Sequence, residues 1–254
     1  MSPGKSWLEG LTRAGFIGYG ILHLLFAYLI VKIAFGGSGA DGDQSGAMKK
    51  LAEEPFGAAL IVAIVVGLAA MAVWQILEIF EERRLRERVA SAGRAAFYLY
   101  LGWNGIKVLR GKPASSADTQ QNAAEGLLAS DLGRIAVIAA GLVLAAIGVF
   151  LAIAGLTKRF ERHLRVSRMT RATRNLLRRL GEVGFTAKGI AYGIAGALFV
   201  IAAIQYDPDK ARGLDAALRE LASHSYGSWV LLLVALGFAA YGLFSVAEAK
   251  YRKV

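Results

Sequence analysis

The chain has 254 residues, of which 56% are hydrophobic and 19% are charged, and it contains no cysteine. This composition is too apolar for an ordinary soluble domain, and the lack of cysteine excludes disulfides, thiolate catalysis and cysteine-bound metal. The formal net charge is +11, but the charged residues cluster between apolar runs. Basic residues clustered between apolar runs indicate the orientation of a membrane protein rather than a nucleic-acid partner.

Six apolar runs follow one another along the chain. Most hold about 20 residues, the length with which a helix crosses ~30 Å of hydrocarbon. The third run is shorter, and basic side chains at its end can snorkel to lengthen it. The first run is longer than the core of a signal peptide, so we interpret it as a mature helix. We predict six transmembrane helices, at about residues 15–35, 56–80, 95–109, 135–156, 185–206 and 227–247.

The opening of each odd-numbered run repeats one pattern, at residues 11–23, 92–104 and 180–192. A second pattern opens each even-numbered run, where a leucine stands six residues before Gly57, Gly133 and Gly227. Internal periodicity of this kind fixes an architecture. It predicts three two-helix repeats at residues 11–84, 90–160 and 180–253, with a basic cytoplasmic linker at 161–179.

Each repeat crosses the membrane twice, so the three repeats enter it in the same orientation. The predicted fold is therefore an all-α integral membrane protein of six transmembrane helices, built as three parallel two-helix repeats with pseudo-threefold symmetry. Glycine-rich odd helices are expected at the centre and even helices outside. Short segments with helical polar–apolar spacing precede the even runs, which predicts amphipathic helices on the outer membrane surface at 47–51, 123–128 and 214–221.

The distribution of basic residues predicts the orientation. One set of loops, together with both termini, carries 20 of the 30 lysines and arginines, whereas the other set is close to neutral. Lysine and arginine concentrate in short cytoplasmic loops. We therefore expect a multi-pass protein of the bacterial inner membrane with its N- and C-termini in the cytoplasm.

Three motifs resemble a known family. They are an Arg-x-Gly-Phe-x-x-x-Gly opening, a Leu-Ala-x-x-Pro-Phe-Gly turn at residues 51–57, and Gly-Phe-Ala-Ala-Tyr-Gly-Leu-Phe at 237–244. Together they are similar to the bacterial family called domain of unknown function 1206, over almost the whole chain. The middle copy departs from the pattern, with Ala96, Leu101 and Val143 at expected glycine positions. The resemblance implies three membrane hairpins and no particular activity.

His23, Asn104 and Tyr192 occupy the same position in the three odd helices. Each lies about 15 Å from the predicted cytoplasmic boundary, near the bilayer midplane, where polar side chains face protein. They are the candidate ligand-binding or axial polar layer, which could hold a small ligand, water or a proton. The alternative, which we favour, is a set of hydrogen bonds that holds the helices together.

Four charged residues are expected at the cytoplasmic boundary as interfacial charge pairs. Glu78 and Glu248 are matched positions of two even helices, and Arg13 and Arg94 open two odd helices. Proton or cation binding is the alternative role for the glutamates. Further polar residues are assigned to helix ends, where snorkelling explains them: Lys32, Gln75, Lys107, Lys188 and Gln205.

No catalytic pattern stands out. The three histidines fall at different predicted depths, so they cannot share a metal or a haem, and no nucleophile elbow or phosphate loop is present. We predict no enzyme activity, no metal and no cofactor. The basic stretch at residues 158–179 predicts contact with anionic lipid head groups rather than nucleic acid.

Three functional hypotheses follow. The first is a non-enzymatic membrane protein that binds a lipid or another hydrophobic ligand, or serves as an accessory subunit of a larger membrane-protein complex. The second is a small transporter or channel for solutes or ions along the pseudo-threefold axis, lined by His23, Asn104 and Tyr192. An intramembrane enzyme is a distant third.

Overall fold

The computed structural model describes residues 3–36, 44–55, 57–81, 84–112 and 115–252. Within these ranges the secondary structure is helical, apart from connections and one isolated antiparallel bridge between Leu164 and Arg252. Nine α-helices occur in them: α1 (Pro3–Ala34), α2 (Gln44–Ala52), α3 (Gly57–Glu81), α4 (Leu85–Leu109), α5 (Ser116–Leu128), α6 (Asp131–Leu156), α7 (Arg171–Gln205), α8 (Leu214–Ala222) and α9 (Gly227–Tyr251).

Five of the described helices are long and apolar enough to cross a membrane: α1 from Arg13, then α3, α6, α7 and α9. The chain is therefore a multi-pass membrane protein. The sixth expected helix, α4, does not meet the same criterion. It begins at Leu85, ten residues before the predicted apolar run, and this first part carries Arg86, Glu87, Arg88 and Arg94.

The predicted short amphipathic helices are present as α2, α5 and α8. They lie at one end of the bundle, hereafter the cap side, where α2 contacts α5 and α5 contacts α8. The opposite end, the linker side, holds residues 157–170 and the C-terminal end of α9. In the linker, short 3₁₀ helices at Arg159–His163 and Val166–Arg168 precede α7, which begins at Arg171 inside the stretch expected to be linker.

The three predicted glycine positions share one geometry. A Cβ atom on Gly57, Gly133 or Gly227 would overlap the carbonyl oxygen of the leucine six residues earlier. These leucines, Leu51, Leu127 and Leu221, lie in the last turns of α2, α5 and α8. The sequence pattern therefore marks a tight corner that lets the short helix end directly against the start of the long one.

The long helices pack in the order α4, α3, α1, α9, α7, α6, each against the next. Within the described residues, α4 and α6 share no packed interface, although they are the two long helices of the middle repeat. The other repeats differ, because α1 packs on α3 and α7 packs on α9. The middle of this packing order is the contact between α1 and α9, and α3 and α7 lie on either side of it.

The linker is folded against the bundle rather than extended from it. Phe160 is buried, its ring stacks on Phe185 at 5.3 Å, and it meets Phe244 edge-on at 5.1 Å. The amide nitrogen of Arg165 donates to the carbonyl oxygen of Tyr251 at 2.7 Å. These contacts fasten the linker to α7 at Phe185 and to the C-terminal half of α9 at Phe244 and Tyr251.

Candidate polar site between the helices

Lys188 lies inside the bundle. It is the eighteenth residue of the 35-residue helix α7, and its side chain is only 4% exposed. The prediction that Lys188 snorkels from a helix end is wrong, because α7 starts well before the apolar run and carries the lysine into the centre. Gln75 is also buried, contrary to the same prediction, and its Oε1 accepts a hydrogen bond from Arg94 Nε at 2.7 Å.

Three polar side chains form a hydrogen-bonded cluster at this position. Lys188 Nζ lies 2.8 Å from the Tyr19 hydroxyl oxygen and 3.1 Å from His23 Nε2. His23 Nδ1 lies 2.8 Å from the backbone carbonyl oxygen of Tyr19. A carbonyl oxygen only accepts, so Nδ1 carries a hydrogen, and in the neutral ring Nε2 is the acceptor for Lys188.

Aromatic rings enclose the cluster. Lys188 Nζ lies 4.1 Å from the ring centroid of Tyr241, 5.1 Å from that of Tyr19 and 5.6 Å from that of Tyr192. The Tyr98 ring of α4 stands edge-on to Tyr19, with centroids 5.5 Å apart. The negative faces of such rings attract an ammonium group.

The structure brings together two of the three predicted layer residues. His23 and Tyr192 both lie beside Lys188, one by a hydrogen bond and the other by its ring. Asn104 is buried in α4, and its Nδ2 has no hydrogen-bond partner among the described residues. No described hydrogen bond links Asn104 to the other two.

Lys188 could have been found from the repeat itself. When the three repeats are aligned, Lys188 takes the position of Tyr19 and Tyr100, one helical turn before the predicted layer. Two of these equivalent residues, Lys188 and Tyr19, are hydrogen-bonded to each other. Tyr100 is half-buried and packs against the core cluster that contains Tyr19.

A polar stripe runs along α9 from this cluster to Arg252 at its linker-side end, and it is buried as far as Glu248. Its members occur every three or four residues, the spacing of one helix face. Ser245 Oγ, in the middle, has no described hydrogen-bond partner. Glu248 Oε1 accepts from Arg252 at 2.7 Å, and the Arg252 guanidinium lies over the rings of Phe16 and Trp74. We call this the α9 stripe: Tyr241, Ser245, Glu248 and Arg252.

The other predicted charge positions behave differently. Arg94 donates to Gln75 Oε1 and to Ser91 Oγ at 2.8 Å, so it joins α3 to α4 through neutral groups. Arg13 is exposed and Glu78 is half-buried. Glu248 pairs with Arg252, whose Nη1 lies 2.7 Å from Glu248 Oε1.

An apolar groove lies between α3 and α4, on the outside of the bundle. Its volume is about 180 Å³. Gly102 lines it, where a Cβ atom would make only ordinary contact with Leu68. The inner wall includes Tyr98, which also contacts Tyr19 of the polar cluster. The lining residues are Val65, Ala69, Tyr98, Leu99, Gly102, Trp103 and Ile106.

The cap side is joined by a charged network. Asp215 is fully buried and accepts from Arg212 Nε and Arg219 Nε, each at 2.9 Å. Arg212 also donates to Asp118 of α5 at 2.9 Å. Burial alone would lower the pKa of Arg212, but its hydrogen bond with Asp215 and the charges of Asp215 and Asp118 raise that pKa above its ordinary value.

The basic linker side remains largely exposed. Most of its arginines reach solvent, while Glu161 binds Arg174 and Arg178, with Arg178 Nε at 3.0 Å. In the described part of the chain, no group of three or more histidine, cysteine, aspartate or glutamate side chains is arranged to hold a metal ion.

Comparison with known proteins places three stretches of the chain, residues 14–78, 89–158 and 183–252, in one family profile, described as Domain of Unknown Function (DUF1206). The chain is also 27% identical over 258 residues to "Uncharacterized protein YxxB" of Bacillus subtilis (strain 168), covering 98% of this chain and 92% of that protein. No solved structure matches.

Proposed function

Because the chain belongs to the family described as Domain of Unknown Function (DUF1206), whose profile matches it three times, we propose that it crosses the membrane six times as three repeats around a pseudo-threefold axis. The packing supports this arrangement. The second long helix of each repeat packs on the first long helix of the next, as α3 on α4, α6 on α7 and α9 on α1.

The glycine contacts support the same symmetry. Gly148 of α6 and Gly242 of α9 are aligned positions, and so are their partners, Gly189 of α7 and Gly20 of α1. At the third junction the aligned residues are Ala72 and Leu101, both buried in one core cluster. The middle repeat therefore follows the same packing plan with larger side chains, and α4 is the sixth crossing.

We further propose that the protein lies in the bacterial inner membrane with the linker side and both termini in the cytoplasm. The exposed arginines of the linker side would then meet anionic lipid head groups.

The absence of cysteine gives a direct test with single substitutions and a membrane-impermeant maleimide on intact cells. Ser223→Cys on the cap side should react, whereas Ser167→Cys on the linker side should react only after lysis; the reverse pattern would refute this orientation.

The function that the geometry supports best is non-enzymatic binding of a lipid acyl chain in the groove between α3 and α4. The observation that carries this proposal is the lining, in which Leu99 and Trp103 stand about half exposed around Gly102. The missing side chain at Gly102 leaves room between two helices that face the acyl chains. The polar cluster lies behind the groove, where Tyr98 closes its inner wall.

A photoreactive fatty acid in bilayer vesicles tests this function. Crosslinks should concentrate on Leu99 and Trp103, and Gly102→Phe should abolish them because its ring fills the groove. Gly93→Phe is the matched control, since Gly93 lies on the same helix in open space. Even labelling of all exposed helix faces would contradict the proposal, and capture of a membrane-protein partner at this groove would favour the accessory-subunit hypothesis.

Transport of an ion or small solute is the second candidate function. It is favoured by one observation: the buried cluster of Lys188, Tyr19 and His23 joins α1 and α7 at the centre of the bundle. Proteoliposomes that contain the pure protein and a pH-sensitive dye test it. A flux that is lost in His23→Ala but kept in His224→Ala would establish transport, and no flux above that of empty liposomes would reject it.

A further inference from the structure

We propose that Lys188 and His23 form a binding site for a single proton, reached from the linker side along the α9 stripe. This inference does not depend on the acyl-chain groove, and it holds whether or not the protein transports a solute. It concerns a buried amine and an imidazole that no comparison assigns to a function.

The hydrogen bond between Lys188 and His23 allows the pair to hold only one extra proton. His23 Nδ1 already donates to the Tyr19 carbonyl oxygen, so only Nε2 faces Lys188. At 3.1 Å the two nitrogens share one hydrogen bond, which needs a donor and an acceptor. An ammonium facing a neutral imidazole satisfies this rule, and so does an amine facing an imidazolium. Two protonated groups would direct N–H bonds at each other.

When Lys188 and His23 are both uncharged, their hydrogen bonds can also be made. An uncharged Lys188 amine has two hydrogens, one for His23 Nε2 and one for the Tyr19 hydroxyl oxygen, which lies 2.8 Å away. The site can therefore exist with or without the extra proton and keep its hydrogen bonds. This is the arrangement of a binding site with two defined states rather than of a fixed structural contact.

The surroundings accept one positive charge without an ion pair. Within the described residues no carboxylate lies in salt-bridge contact with Lys188, whereas three tyrosine rings face it. The ionisable side chains that face the pair are tyrosines: Tyr19 on α1, Tyr192 on α7 and Tyr241 on α9, with Tyr98 of α4 against Tyr19. Glu248 lies two turns beyond Tyr241 on α9 and is already bound to Arg252.

The α9 stripe supplies a route to the linker side. Tyr241, which faces Lys188, is followed one turn later by Ser245 and then by Glu248. Ser245 Oγ is buried and has no described hydrogen-bond partner, so it is free to accept or donate toward either neighbour. Hydroxyl groups at such spacing can relay a proton through side-chain rotation and a bridging water.

Nitrogen NMR of ¹⁵N-lysine- and ¹⁵N-histidine-labelled protein in lipid nanodiscs tests the shared site. The Lys188 Nζ and His23 Nε2 signals should change over the same pH interval, and His23→Gln should shift that interval for Lys188. His224→Gln is the matched control, because His224 Nδ1 binds the Glu220 carbonyl oxygen in the same way but is exposed. Simultaneous protonation of both groups, or a Lys188 titration unaffected by His23→Gln, would overturn the proposal.

The route is tested by the exchange of the Lys188 side-chain hydrogens with water, read from the same signals at fixed pH. Ser245→Ala should slow this exchange, whereas Ser228→Ala, at the cap-side start of α9, should leave it unchanged. Equal rates in the wild type and Ser245→Ala would show that the proton does not enter along the stripe.

Discussion

Gly148 of α6 and Gly189 of α7 approach each other so closely that a Cβ atom on Gly148 would lie 2.6 Å from the Gly189 carbonyl oxygen, and a Cβ on Gly189 would lie 2.5 Å from the Gly148 carbonyl oxygen. Gly20 of α1 meets the aligned Gly242 of α9 in the same manner, with a Cβ on Gly20 at 2.7 Å from the Gly242 carbonyl oxygen. Close backbone contact is thus reused at two junctions between repeats.

Gly148→Leu should lower the free energy of unfolding by about 1–3 kcal/mol, the cost of overpacking a close interface. The backbone of α7 would have to move away from α6. Thermal unfolding in detergent micelles measures the loss. Gly193→Ala is the control from the same interface region, because a Cβ at Gly193 meets nothing within 4 Å. Equal stability of both variants would contradict the described packing.

Asp215→Ala should weaken the cap side by about 1–3 kcal/mol, because it removes the buried acceptor of two arginines. Unfolding should begin locally, so hydrogen exchange in α8 should rise before global melting. Asp131→Ala removes a carboxylate that is almost fully exposed and 3.7 Å from Arg134, and it should change stability by less than about 1 kcal/mol. A comparable loss in the two variants would argue against the network.

Phe160→Ala should cost about 3–5 kcal/mol, as expected for truncation of a buried ring. It should also expose residues 157–170 to a soluble protease, since Phe160 anchors the linker to Phe185 and Phe244. The comparison is Phe80→Ala, whose side chain is 78% exposed and should matter little. An unchanged cleavage rate in Phe160→Ala would mean that other contacts hold the linker.

Asn104→Leu should keep or raise stability. The buried Nδ2 has lost water without gaining a described partner, which costs about 1–3 kcal/mol. Leucine has a similar volume and removes this cost. Leu101→Asn, one turn earlier at an equally buried position, should have the opposite effect. Marked destabilisation by Asn104→Leu would reveal a partner for the amide, such as a bound ligand or water.

Much of the architecture could be predicted from local signals. The corner glycines, such as Gly57, could be found in the sequence because only glycine fits against the leucine carbonyl oxygen. Each repeat therefore has a leucine and a glycine six residues apart. The apolar runs also predicted six long helices, and five of these helices are long and apolar enough to cross a membrane. The apolar run predicted a helix start at residue 95, but α4 begins ten residues earlier, at Leu85. The difference arises because the first turns of α4 are charged.

The burial of Lys188 could not be predicted from hydropathy. A lysine six residues after Glu182 was assigned to a helix end, because hydropathy reports only the average of a window. Its burial depends on the rotation of α7 and on the approach of Tyr19 and Tyr241 from two other helices. Those distances follow from tertiary packing, which no single stretch of sequence encodes. His23 and Tyr192 were found because the repeat itself marked their position.

The separation of α4 from α6 has a consequence for how the chain is made. The long helices of the first repeat can associate as a hairpin soon after they leave the ribosome, and α4 then finds α3 already in place. In contrast, α6 has no long-helix neighbour among the described residues until α7 has been synthesised. During synthesis α4 can therefore pack on α3 before α6 has any long-helix partner, so a truncation after α6 should leave α6 unpacked and a target for quality-control proteases.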